Sequence, residues 1–243
     1  MALTRLKGLL RHGNTLFGAL DYLRHLERGD ASGGPFNGQR ERAALFESIA
    51  TKCSPVVIVE TGTYLGNTTE YFAATQLPIY SVEADRRAYG FAKTRLWRRR
   101  NVHLKRGDSR EALQAWFDGP LHNHSYGPVL FYLDAHWGTH LPLYQELVII
   151  FDHCSNAIVM IDDFRVPFDD GYGYDDYGVG KALVPQYIEP LVRSFDLRAF
   201  YPSTPSYVET GHRRGCVVLV RDASLIRNIE SLPLLRSAEP QGK

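Results

Sequence analysis

The chain has 243 residues, with 28 Lys and Arg against 27 Asp and Glu and a formal net charge of +1. That balance projects no global field toward nucleic acid or a membrane, and the length suits one α/β domain with a full core. Its three cysteines, Cys53, Cys154 and Cys216, stand far apart with no CxxC spacing, which excludes a disulfide framework or a zinc knuckle and fits a reducing cytoplasm.

The opening stretch, MALTRLKGLLRHGNTLFGALDYL, is basic, but its apolar positions are interrupted every few residues. It therefore lacks the continuous apolar segment of a signal peptide or membrane span. Leu6, Leu9, Leu10, Leu16, Phe17, Leu20 and Leu23 recur at near-helical spacing, broken at His12 to Asn14, which predicts a packing helix, with a membrane-surface or dimer helix as the alternative. A Gly/Pro/Asn-rich stretch from Gly29 to Gly38 precedes a second helical segment, Arg40 to Thr51. Residues 1–50 thus read as an N-terminal helical cap, residues 51–225 as the main domain and residues 226–243 as a C-terminal tail.

From Val56 onward, short apolar or β-branched runs alternate with helix-like stretches, the pattern of a parallel sheet covered on both faces. Seven strands are predicted: Pro55 to Glu60, Ile79 to Glu83, Val102 to Arg106, Val129 to Asp134, Ala157 to Ile161, Leu197 to Tyr201 and Cys216 to Arg221. The last two are joined by PSTPSYVETGHRRG, too short and too rich in Pro and Gly for a crossover helix. They are expected to pair antiparallel. The fold class is a Rossmann-like, mostly parallel seven-stranded α/β sheet with helices on both faces, an antiparallel last strand and the N-terminal cap.

At the end of the first strand, VVIVETGTYLG places Glu60 before Gly62 and Gly66. Glycine lets backbone approach a ligand closely and take positive φ, so the turn opens a cleft at the carboxyl end of the sheet. The dinucleotide pattern GXGXXG is missing, because Thr63 to Leu65 fill the space between the two glycines. That favours a nucleoside without phosphates. About twenty residues on, Glu83 ends the second strand where a carboxylate can accept both ribose hydroxyls. Asp85 competes for that role or caps the following helix. After the third strand, Asp108 and Ser109 stand where a helix begins near Arg110, as caps or ligand groups or both.

The pattern of an acidic residue and a GXXXG turn, ETGTYLG, resembles the class I S-adenosylmethionine-dependent methyltransferases over roughly residues 40–221. The resemblance implies that Glu60, Gly62, Thr63, Tyr64 and Gly66 line the methionine part of S-adenosylmethionine. It also implies that Asp108 and Ser109 receive the adenine.

The fourth strand, PVLFYLDAHWG, runs into Asp134, and the fifth, AIVMIDDF, into Asp162 and Asp163. Carboxylates at the ends of neighbouring parallel strands converge over one cleft and repel unless neutralised. Hard oxygen ligands suit a divalent metal, Mg²⁺ foremost, with Mn²⁺ or Ca²⁺ as alternatives. This resembles the metal-dependent O-methyltransferases, of the catechol type and of the bacterial type that methylates sugar hydroxyls of macrolides. The resemblance implies Asp134, Asp162 and Asp163 as metal ligands, with Asp134 also lining the cofactor cleft, and the Asp-Asp pair is closer to the sugar-modifying branch. His136, two residues beyond Asp134 and with an ordinary pKa near neutrality, is the expected base, and His140 a weaker one. In that scheme the metal binds the acceptor hydroxyl, His136 takes its proton and the oxygen attacks the methyl group. Trp137 packs on the substrate or covers the sheet.

The next segment, RVPFDDGYGYDDYGVGK, mixes Asp169, Asp170, Asp175 and Asp176 with Tyr172, Tyr174 and Tyr177 among glycines. It reads as a lid over a polar acceptor, the alternatives being a solvated loop or, against the acidic spacing, a calcium loop. The expected partner is a small-molecule hydroxyl acceptor, with neither nucleic acid nor membrane, and a homo-oligomer is left open. Three rival readings stand beside this one. LDAHW echoes the Asp-Ala-His motif of ureohydrolases, but Trp137 and Gly138 follow His136 where that family has another Asp, and no second Asp-x-Asp motif appears late in the chain to complete a dinuclear site. A metal-independent methyltransferase and a non-catalytic cofactor-binding protein are the others.

Overall fold

The computed structural model describes residues 15–25, 33–122, 127–136 and 141–237. Eight strands form one sheet in the order β3-β2-β1-β4-β5-β7-β6-β8. They are β1 (Val57–Thr61), β2 (Ile79–Glu83), β3 (Val102–Arg106), β4 (Val129–Leu133), β5 (Ala157–Ile161), β6 (Arg198–Pro202), β7 (Val217–Val220) and β8 (Leu235–Ser237). Strands β1 to β5 are mutually parallel. β7 runs antiparallel to β5 and to β6, as the short Pro/Gly-rich connection requires.

The helices among the described residues are α1 (Thr15–Arg24), α2 (Arg40–Cys53), α3 (Asn67–Ala73), α4 (Arg86–Arg95), α5 (Ser109–Phe117), α6 (Leu143–His153), α7 (Pro185–Ser194) and α8 (Ala223–Glu230). None is long and apolar enough to cross a membrane. Strands β1, β4 and β5 are buried at every position, so alternate residues feed two separate cores. Val57, Val59, Phe131 and Val159 pack with α5, α6 and α7 on one face. On the other, Ile58, Leu130, Met160 and Val218 pack with α2, α3 and α8. The period-2 alternation of a pleated strand produces this division.

Helix starts follow local chemistry. Asp85, Asp108 and Asp222 accept hydrogen bonds from the first free N–H groups of α4, α5 and α8. α2 has no such residue, and a distant carboxylate replaces it: Glu209 accepts from the Glu41 and Arg42 N–H groups, both at 3.0 Å.

The second predicted helix is found, two residues longer than expected. Of the predicted N-terminal helix, Leu6, Leu9 and Leu10 lie outside the described residues, while Leu16 to Leu23 fall within α1. This helix crosses α4 with backbones in close approach: a β-carbon on Gly18 would lie 1.9 Å from the Arg87 carbonyl oxygen, and one on Gly90 2.0 Å from that of Thr15. Asp21 pairs with Arg87, and Tyr22 meets Phe91 edge-on. Beyond the seven expected strands, the chain after residue 225 continues through α8 into β8, which pairs with β6. Leu225, Ile229 and Leu235 are buried there, so the sheet's packing unit runs to Ser237.

Candidate functional site

Because β1 to β5 are parallel, their carboxyl ends share one edge, and the sheet order reverses direction between β1 and β4. Ligand clefts in open α/β sheets form outside such a reversal. The glycine turn sits there. Gly62 has φ 87°, and a β-carbon on it would lie 2.2 Å from the Asp134 carbonyl oxygen. The glycine is therefore required by the close approach of the β1 turn to the end of β4, as well as by any ligand above it. Gly66, at φ 80°, opens α3.

The turn is anchored from below and from the side. Glu60 is buried, and its carboxylate accepts from Thr69 on α3 and Ser81 on β2, the latter also bonded to Thr63. Burial pushes its carboxyl up to about 7 against the pull of those two hydroxyls. Glu83 accepts the Tyr64 N–H at 2.6 Å on one oxygen and the Asp85 N–H at 2.7 Å on the other. A carboxylate oxygen can accept more than one hydrogen bond, so these contacts do not exhaust the group. Burial raises its pKa and the backbone donors oppose that. Tyr64 itself is largely exposed. Asp85 caps α4, leaving Glu83 as the carboxylate at the end of β2. Asp108 caps α5 and grips Arg110 through both oxygens. Beside it, the buried Ser109 Oγ lies against Glu146 and completes no well-aligned hydrogen bond among the described residues.

The acidic cluster is more differentiated than three equivalent ligands. Asp162 is fully enclosed, with Oδ1 on the Arg42 guanidinium and Oδ2 accepting from the Tyr132 hydroxyl at 2.5 Å. Burial works to raise its pKa, but Arg42 and Tyr132 outweigh that and hold it below the usual range. Asp163, at φ 52°, turns the other way and accepts from Arg214 Nε at 2.6 Å. Burial and the neighbouring Asp162 push it up to about 7. Asp134 is half-buried, and burial, then Asp162 and Asp163, raise its pKa far above the usual carboxylate range. The His136 ring is buried, with Nε2 3.8 Å from Asp134 Oδ1 and, among the described residues, no hydrogen-bond partner. Burial lowers its pKa, so the ring is neutral at pH 7. One donor atom each from Asp134, His136 and Asp163 lie within 4.8 Å of one another.

The Tyr/Asp/Gly segment is folded down beside this group. The Tyr177 hydroxyl donates to Asp175, which pairs with Arg214, and lies 3.1 Å from the His136 carbonyl oxygen. Tyr172 is buried and donates to the Thr204 carbonyl. The structure thus brings Glu60, Gly62, Thr63, Tyr64, Gly66, Glu83, Asp108, Ser109, Asp134, His136, Asp162 and Asp163 to one edge. Trp137 and His140 lie outside the described residues. Sequence reasoning missed Arg42, Arg214 and Tyr132, whose partners are distant in the chain. It also missed Glu146, a buried acid on α6 flanked by the Thr61 and Ser109 hydroxyls.

No protein-family model matches the chain, and no curated protein is similar to it in sequence. Solved structures are similar in fold. An O-methyltransferase from Bacillus cereus in complex with SAH superposes with a TM-score of 0.54 at 16% identity, over 81% of this chain and 88% of that one. A proposed O-methyltransferase from Klebsiella pneumoniae gives 0.55 at 18% identity, over 82% and 89%. A proposed caffeoyl-CoA O-methyltransferase from Staphylococcus aureus gives 0.56 at 14%, over 82% and 90%.

Proposed function

We propose that this chain, which has the fold of those methyltransferases, is an S-adenosylmethionine-dependent O-methyltransferase acting on a hydroxyl of a small molecule, a sugar or natural product, with the help of a divalent metal. The observation that carries the reading is convergence. The glycine turn, the Glu83 carboxylate and the buried Ser109 hydroxyl stand at one sheet edge, next to Asp134, His136 and Asp163. The first three fit a nucleoside carrying two vicinal hydroxyls and a base. Two carboxylates and an imidazole fit one hard or borderline divalent cation. With three gathered donors among the described residues, the cluster supplies one ion and not the pair a ureohydrolase needs.

S-adenosylmethionine, when bound, supplies an electrophilic methyl group on sulfur. A divalent metal, when bound, lowers the pKa of an acceptor hydroxyl. The chain's own part is positioning and proton handling. Glu83 orients the nucleoside through its free lone pairs, while Glu60 ties β1, β2 and α3 together so that the turn keeps its shape. Asp134, His136 and Asp163 would hold the metal, and a carboxylate oxygen of Asp134 or Asp163 that the metal leaves free would take the proton of the acceptor hydroxyl. The segment carrying Tyr174 and Tyr177 covers this region and excludes water from it.

Calorimetry with S-adenosylmethionine tests the reading on the wild type and on Glu83→Ala. Wild-type protein should bind, and the variant should lose at least tenfold in affinity, the loss of a bidentate charge-assisted contact. Absence of any heat from the wild type would sink the proposal.

A further inference from the structure

We infer that the cation site of this chain is built from Asp134, His136 and Asp163, one imidazole and two carboxylates, and that Asp162 is excluded from it as the internal counter-ion of Arg42. The inference sharpens the metal part of the function proposed above and changes the role that residue type alone implies for His136.

Four observations support it. First, both Asp162 oxygens are engaged inside the protein, one by Arg42 and one by Tyr132, and its side chain is 1% exposed. A metal reaching it would have to displace a buried guanidinium and leave that charge unpaired, which is strongly unfavourable. Second, the His136 ring is buried, yet Nε2 has no partner among the described residues. A buried polar nitrogen without a bond is costly and uncommon, and this one is directed at Asp134 Oδ1, 3.8 Å away. Third, the geometry is close to that of a loaded site. Ligand bonds of about 2.1 Å place two donors on one ion roughly 3 to 4.2 Å apart, at right angles or opposite. The three donors lie within 4.8 Å of one another, so side-chain adjustments of about half an ångström close the set. Fourth, the Tyr177 hydroxyl lies 3.1 Å from the His136 carbonyl oxygen, and Asp163, at positive φ, faces Arg214 while Asp162 faces Arg42. Asp163 also keeps an oxygen besides the one on Arg214.

The chemical consequence is metal preference. Imidazole suits borderline ions such as Fe²⁺ or Zn²⁺, and the hard Mn²⁺ accepts it more readily than Mg²⁺ or Ca²⁺, which favour all-oxygen sets. The remaining coordination positions are open to water and an acceptor hydroxyl.

The test uses Mn²⁺ as a spectroscopic probe on the full chain, read by pulsed electron paramagnetic resonance, with affinities from titration. Wild-type protein should bind one Mn²⁺ at least tenfold more tightly than Mg²⁺ and show coupling to one imidazole nitrogen. His136→Ala should abolish that coupling and weaken Mn²⁺ at least tenfold, and Asp163→Asn should weaken it with the coupling kept. The double variant Arg42→Met/Asp162→Asn removes the buried charge pair together and should bind Mn²⁺ within threefold of wild type. Mn²⁺ bound without nitrogen coupling, no Mn²⁺ binding at millimolar concentration, or loss of binding in the folded double variant would each overturn the inference. Calorimetry with S-adenosylmethionine on the same samples separates this from the function proposal. Nucleoside binding without nitrogen coupling overturns only the ligand set, and nitrogen coupling without nucleoside binding overturns only the methyl transfer.

Discussion

Glu146 is a single residue whose behaviour can be read from its surroundings. It lies on α6 with 1% exposure, and burial pushes its carboxyl up to about 7 against the pull of the Ser109 and Thr61 hydroxyls. Those hydroxyls lie beside it, yet neither they nor its Oε1 complete a hydrogen bond of good geometry. A carboxyl whose folded pKa is raised binds more protons folded than unfolded between the ordinary glutamate value and about 7. Its contribution to stability is therefore complete at low pH and is lost as pH rises through that window. Glu146→Gln keeps the volume and removes the charge. In urea unfolding the variant should gain on the wild type by roughly 2–3 kcal/mol between pH 5 and pH 8, from about 1.36 kcal/mol per pKa unit. A pH-independent difference would show that Glu146 is ionised in the folded protein. From the sequence, this residue reads as a favourable acid in a helix's first turn, and nothing local reveals that the turn is packed under the sheet edge.

At the scale of elements, the clearest dependence is that of α2 on a loop far away in the chain. Glu209, 3% exposed, accepts the Glu41 and Arg42 N–H groups and so does for α2 what Asp85, Asp108 and Asp222 do for their own helices. Glu209→Ala should cost about 1–2 kcal/mol or more in denaturant unfolding, the upper range for a lost cap. An unchanged midpoint would mean that water replaces the carboxylate at no cost. The pairing of α2 with the residue 209 loop also explains what the sequence could and could not show. Strand ends were legible because an apolar run leading into Glu83, Asp134 or Asp162 is a local pattern. The neutralising partners were not, since Arg42 and Asp162 are 120 residues apart and Arg42 alone resembles any charged helix residue. β8 was illegible for a different reason, because its three residues, LRS, are too few to show a period.

For the whole molecule, the question is how far the N-terminal helix shares in the site. The reversal between β1 and β4, where the glycine turn meets Asp134, lies mid-sheet, whereas α1 docks on α4, the helix that follows β2. The docking depends on bare backbone, since a β-carbon on Gly90 would lie 2.0 Å from the Thr15 carbonyl oxygen. That atom is main chain and cannot swing aside, so Gly90→Leu should force α1 off α4. The partly buried Asp21–Arg87 pair does not offset a clash with main chain. Limited proteolysis should then cut near Arg24 at protease concentrations that leave the wild type intact. The turn is anchored without α1, by Glu60 on Thr69 and Ser81 and by Glu83 on the Tyr64 N–H, so binding of S-adenosylmethionine should stay within threefold of wild type. Should proteolysis release α1 and nucleoside binding vanish while circular dichroism still reports a folded sheet, α1 would be a working part of the cleft and not only its flank.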